Sequence, residues 1–126
     1  MKFSDYNISS EIKEQLKVLG YNKPTDIQFK AINHILNGED VMAIAQTGTG
    51  KTAAFAIPTL NVLQKKSKYN TGIRCLVMVP TRELAKQIAK VYQDIGKKTG
   101  VKIFGLFGGV DQEQQISTLN NGVDVL

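Results

Sequence analysis

The stretch Val41-Met42-Ala43-Ile44-Ala45-Gln46-Thr47-Gly48-Thr49-Gly50-Lys51-Thr52 restricts the possible folds of this chain more than any other. Val41 to Ala45 is a short apolar run bounded by turn residues and reads as a buried strand; Thr52 to Leu63 is apolar on nearly every side and reads as a buried helix. A glycine-rich loop leading from strand to helix and closed by lysine and a hydroxyl residue has the form of a phosphate-binding loop. Gly48 and Gly50 permit backbone angles closed to other residues and let amides approach an anion unobstructed. The amides then form a nest, to which the helix start adds the positive end of its dipole. Lys51 supplies a mobile charge for β and γ phosphates, and the Thr52 hydroxyl can take one position on an octahedral Mg²⁺, which makes these two the candidate catalytic residues and Thr52 the candidate metal ligand. Ala45 stands where the strict pattern has glycine, so the match is a relaxed one. The loop residues Ala45, Gln46, Thr47, Gly48, Thr49, Gly50, Lys51 and Thr52 point to a nucleoside triphosphate without saying which.

The rest of the chain supplies the context this loop needs. Ser9 or Ser10 caps a first helix striped by Ile12, Leu16 and Leu19 and stopped at Gly20. Pro24 and Thr25 introduce a second helix with Ile27, Ala31, Ile32, Ile35 and Leu36 inward, ending at Asn37-Gly38. Pro58 should kink or end the helix after the loop, because proline removes one backbone bond and clashes with the preceding turn. Strands are expected at Arg74 to Val79, stopped by Pro80, and at Val101 to Phe107, ending at Gly108-Gly109. An amphipathic helix marked by Leu84, Ile88, Val91, Tyr92 and Ile95 lies between them, and a polar helix around Gln112 to Leu119 follows. Alternating strands and helices imply parallel βαβ units, an α/β fold. The final Val123-Asp124-Val125-Leu126 reads as a strand without a turn or polar tail after it, as in a fragment of a longer domain.

A chain of 126 residues has room for one domain. No apolar run reaches the roughly 18 residues of a membrane span, and Met1 to Tyr6 has no apolar signal core. The single cysteine, Cys75, excludes an internal disulfide and reads as a buried structural thiol, which favours a cytoplasmic protein. The net charge of +5 is most compatible with polyanionic partners. Lys65, Lys66 and Lys68 cluster, as do Lys86, Lys90, Lys97 and Lys98, and taken alone such runs read first as solvated helix faces. His34 reads as a partly exposed helix residue without a role.

Upstream of the loop stands Gly20-Tyr21-Asn22-Lys23-Pro24-Thr25-Asp26-Ile27-Gln28. Thr25 and Gln28 have the spacing of a capping box, with Gln28 reaching back to an orphan amide. The same amide offers an acceptor and a donor pair that match the N6 donor and N7 acceptor of adenine, whereas guanine presents two acceptors there. Tyr21 could stack on the base. Both roles are compatible, since a capped helix start is a stiff place to hold Gln28.

These residues resemble the Q motif of DEAD-box RNA helicases, and Phe3, seventeen residues before Gly20, resembles its isolated upstream aromatic. Ala45 to Thr52 is similar to motif I of that family, alanine included. Pro80-Thr81-Arg82-Glu83-Leu84-Ala85 resembles motif Ia, and Gly108-Gly109 the glycine doublet before motif Ib. The likeness runs in order along the whole chain and is nearest to the bacterial RhlE type. It implies a RecA-like P-loop NTPase fold, a parallel sheet with flanking helices, here truncated: residues 1–38 as the helical Q-motif region and residues 39–126 as the first βαβ units. It implies ATP and Mg²⁺ as cofactors, with Phe3, Tyr21, Lys23 and Gln28 on the adenine side. It also implies RNA as partner, held by its backbone with little sequence preference at Pro80, Thr81, Arg82, Glu83, Gly108 and Gly109. Without the likeness, Pro80 to Ala85 would be read as a strand stop and helix cap, and the glycine doublet as a plain turn.

The family's motif II, Asp-Glu-Ala-Asp, does not occur in the 126 residues. Phosphoryl transfer relies on such carboxylates for Mg²⁺ and water, so the resemblance implies an ATP-dependent RNA helicase as parent and little turnover in this chain. Two alternatives are a non-catalytic nucleotide- or RNA-binding module and a small P-loop nucleotide kinase. The kinase would need an acid after a strand and lid arginines, and only Arg74 and Arg82 are present. A strand at Val41 to Ala45 without later strands beside it is expected to leave the sheet weak or open to self-association.

Overall fold

The computed structural model describes residues 1–65, 72–109 and 111–126, so Lys66 and Lys68 lie outside the described residues. A 3-10 turn at Phe3–Asp5 leads into five helices among the described residues: α1 Ser10–Val18, α2 Asp26–Leu36, α3 Lys51–Gln64, α4 Arg82–Ile95 and α5 Gln112–Asn120. Their ends are set by the residues the sequence places there. The Ser9 hydroxyl accepts the Ile12 amide of α1 at 3.3 Å, and Thr81 accepts the Leu84 amide of α4 at 3.2 Å. After α1, the Gly20 and Tyr21 amides donate back to the carbonyls of Lys17 and Leu16, closing the helix with the paired bonds of a Schellman turn. Leu19 is the C-cap of that helix and is 37% exposed, so it leaves the stripe that Ile12 and Leu16 continue into the core.

Helix α3 runs through Pro58 as one element of 14 residues. Proline therefore does not end it. Ala53, Ala54, Ala56, Ile57, Pro58 and Leu60 are all buried, and that packing outweighs the missing amide bond. Around α3 pack α2 and α4, with α1 against α4. The shared core includes Ile12, Ile32, Ile57, Leu60 and Ile95, all fully buried, each contributing about 1.5–3 kcal/mol by leaving water.

Three of the segments expected as strands run side by side as extended chain, joined among the described residues by two isolated bridges rather than by the ladders of a sheet. Val125 bridges Cys75 on one side and Ile103 on the other, both in parallel, which gives the order 74–79, 123–126, 101–107. The Val77 amide donates to Leu126 at 2.8 Å and the Phe104 amide to Val125 at 2.9 Å. Asp124 fastens the three together. Its carboxylate accepts the Lys102 amide at 2.9 Å and the Arg74 guanidinium at 3.0 Å, while Arg74 also donates to the Leu63 carbonyl of α3 at 2.9 Å.

Val41 to Ala45 makes no bridge among the described residues, which corrects the expectation of a buried strand there. Met42 is 92% and Ile44 91% exposed. An apolar strand is buried only when neighbours cover both faces and take its backbone bonds, and here α2 lines one side alone. Cys75 is half-buried rather than buried; burial is still enough to push its thiol pKa up, so the thiolate is disfavoured.

Candidate functional site

The loop expected to hold phosphate closes onto the start of α3. Gly50 is the N-cap of that helix with φ +83°, a conformation that disfavours any side chain. A Cβ there would also overlap the amide nitrogen of Gln28. Gln28 is 2% exposed, at the start of α2. Its Oε1 accepts the Thr25 amide at 3.0 Å, and its Nε2 donates to the Gly50 carbonyl at 3.1 Å. One side chain thus caps one helix and ties it to the loop before the next. Each end of the Gln28 amide keeps one further bonding position free, a donor on Nε2 and an acceptor on Oε1.

Gln46, Thr47 and Gly48 are exposed at the loop tip, and the Thr49 hydroxyl donates to the Gln46 carbonyl at 2.7 Å. The Lys51 ammonium donates to the Ala45 carbonyl at 2.6 Å, so it already arches back across the loop. No acidic residue occupies the first turn of α3, and its amide end is left for an external anion. The chemistry of these donors fits a polyphosphate: amides, a flexible ammonium and the partly exposed Thr52 hydroxyl. Among the described residues no group of three His, Cys, Asp or Glu side chains could hold a metal. The Thr52 hydroxyl is the side chain of this loop that could take one position on Mg²⁺.

Tyr21 is half-buried, and its ring meets that of Phe3 edge-on at 6.0 Å. Phe3 itself is 4% exposed, packs also on Tyr6 and supports Tyr21 from below, and it lines the same cavity as Tyr21. Lys23 is exposed and lines, with Tyr21, a cavity of about 540 Å³.

A second grouping forms where two parallel segments end. Pro80 to Glu83 are exposed at the start of α4, and Gly108-Gly109 follow the segment ending at Phe107. Arg82 joins the two places, its guanidinium donating to the Gly108 carbonyl. Gly109 has φ +75°, and a Cβ there would run into Arg82. Three further residues belong to this edge and were not among the expected site residues. The Phe107 ring lies 5.2 Å from the Arg82 guanidinium and 5.6 Å from the Lys86 ammonium, and the Phe107 amide donates to the buried Gln115 at 3.2 Å. The signal for Lys86 was its spacing of one helical turn from Arg82; for Gln115, a single polar residue of a polar helix, the sequence carried none. Lys90 and Lys98, by contrast, pair with Asp94 and Glu14 as solvated surface groups do. His34 is exposed, with its Nδ1 2.5 Å from Glu39.

Comparison with known proteins points to one family. The DEAD/DEAH box helicase family model matches residues 25–126. The chain is 42% identical over 125 residues to the ATP-dependent RNA helicase DeaD of Escherichia coli, covering 98% of this chain and 19% of that protein's length. A crystal structure of a DEAD box protein from Methanococcus jannaschii superposes with a TM-score of 0.90 at 38% identity, over 100% of this chain and 34% of the other. The RNA helicase Prp28 from Chaetomium thermophilum, solved bound to ADP, gives 0.89 at 31% identity, over 98% of this chain and 31% of the other.

Proposed function

Because this chain belongs to the DEAD/DEAH box helicase family, we propose that it is the ATP- and RNA-binding part of an ATP-dependent RNA helicase with a RecA-like parallel sheet. The observation that carries the reading is the pair of bonds at Gln28. Its two engaged positions fix the amide between α2 and the phosphate loop, and its two remaining positions match adenine N6 and N7. Guanine would bring an acceptor against the Oε1 acceptor. Tyr21 offers a stacking face and Lys23 a flanking cation. The loop amides and Lys51 take the phosphates, Lys51 exchanging the Ala45 carbonyl for them, and Thr52 holds Mg²⁺, which when bound would draw charge from the β and γ phosphates.

Arg82, the start of α4 and the Gly108-Gly109 turn form the RNA edge. Their donors are cations and amides suited to phosphates, so binding carries little sequence preference. Within these 126 residues Thr52 has no carboxylate of the Asp-Glu-Ala-Asp type to order Mg²⁺ and water. Binding without turnover is therefore the activity of this chain, while hydrolysis and duplex separation belong to the complete helicase. A cytoplasmic setting fits the single thiol.

Calorimetric titration with ATP and GTP tests the nucleotide assignment. ATP is expected to bind at least about tenfold tighter, a difference of one lost or opposed hydrogen bond. Gln28→Ala should abolish that preference and weaken both, since it also frees the loop from α2. Equal affinities in the unaltered chain would refute the adenine role and leave Gln28 as a cap alone.

A further inference from the structure

We propose that Lys86 contacts phosphate at the RNA edge and that Phe107 is the positioning residue that holds Lys86 and Arg82 together, the ligand being a phosphodiester backbone. The inference rests on the RNA-binding reading above and extends it to residues that reading did not include.

Arg82 and Lys86 stand one turn apart on α4, on the same side of the helix. Two cations so placed repel each other. Neither has a carboxylate within ion-pair distance among the described residues, although the next lysine along the helix, Lys90, takes Asp94 at 3.2 Å. What faces them is the Phe107 ring, at 5.2 and 5.6 Å from the two charges. An aromatic face attracts cations without neutralising them, so the pair is oriented with its charge intact. A solvated surface lysine needs no such partner.

Phe107 is itself fixed. Its amide donates to Gln115, which is buried at 9% exposure on α5, and the next carbonyl, of Gly108, accepts Arg82. The ring is thereby held from α5 while its cations come from α4. Lys86 and the unused donors of Arg82 lie beside the exposed start of α4 and the Gly108-Gly109 turn, all sources of positive potential. The class of ligand that several adjacent positive groups of this kind fit is a chain of phosphates.

The test measures binding of a short fluorescent oligouridylate as a function of salt, with ATP affinity followed in parallel. Lys86→Ala is exposed and leaves the fold intact. It is expected to weaken binding several-fold and to lower the log–log salt slope by about 0.7, the share of one phosphate contact on a single strand. Phe107→Leu should reproduce that loss, and Phe107→Tyr, which keeps the aromatic face, should restore it. A ring that merely filled space would tolerate leucine and show no such split. If Phe107→Leu does not fold, Lys86→Arg against Lys86→Ala decides: retained slope in the first and lost slope in the second supports the proposal. An unaltered chain that binds the oligonucleotide while Lys86→Ala keeps the same slope overturns the inference and leaves the RNA reading standing. An unaltered chain that binds ATP but no oligonucleotide overturns the RNA reading, and this inference with it.

Discussion

The Tyr92 hydroxyl sits in the core beside Thr59 and Cys75 without a well-formed hydrogen bond to either, its ring 1% exposed and packed on Phe55 at 6.1 Å. Burial, with the Cys75 thiol as a lesser cause, pushes its pKa well above the ordinary 10.0. A raised folded pKa means that stability is intact below about pH 10 and is lost above it, as the unfolded chain sheds the proton first. Tyr92→Phe removes the unpaired oxygen and keeps the ring. It should gain about 1 kcal/mol at neutral pH and delay alkaline unfolding, as read by circular dichroism across pH 9–12. A variant less stable at neutral pH would show that the oxygen has a partner after all. The sequence marked Tyr92 as inward from helical spacing, but a buried hydroxyl and its satisfaction depend on neighbours from other elements. Gln28 was the opposite case, since its capping role was legible in the residue type and spacing. Its bond to Gly50, 22 positions away, was not.

Helices were the most legible elements because their caps and stripes are local. Ser9, Thr25 and Thr81 fall at N-caps, and α5 spans Gln112–Asn120 against an expected end at Leu119. The parallel segments depend on pairing at a distance, and what binds them was legible only as an alternating run. Within Val123-Asp124-Val125-Leu126 the sequence assigns Asp124 no partner. Asp124 collects Arg74 and the Lys102 amide, with side-chain exposures of 13% for Arg74 and 21% for Asp124. Asp124→Ala would leave a mostly buried guanidinium and an amide without their acceptor. The expected loss is about 3 kcal/mol, seen as a fall in the denaturant midpoint and as faster amide exchange at Lys102 and Arg74. A change within about 0.5 kcal/mol would mean that the Leu63 carbonyl alone suffices for Arg74.

At the scale of the molecule, the helices are well packed on one another while several of the extended segments are uncovered. Met42, Ile44, Leu76 and Met78 are 92, 91, 64 and 85% exposed, on segments that carry backbone donors and acceptors with few partners. Apolar run and glycine loop together made Val41 to Ala45 legible as strand-forming sequence; whether it is buried depends on which strands lie beside it. An exposed apolar segment with free backbone groups is a template for pairing with another chain. We therefore expect self-association of this chain, with a sedimentation coefficient and melting temperature that rise with concentration. Met42→Lys with Met78→Lys should suppress the association and preserve helix content, because neither side chain belongs to the core. Each added charge would also oppose strand pairing at the edge it occupies. A sharp, concentration-independent melt of a monomer would exclude the idea and require that α2 and α3 stabilise the loop-bearing segment unaided. The distinction bears on function, since a Val41–Ala45 segment lined by α2 and tied at Ala45 to Lys51 fixes the phosphate loop less firmly than one also held in a sheet. In the double lysine variant, ATP affinity should then fall with association, although neither methionine touches the nucleotide site.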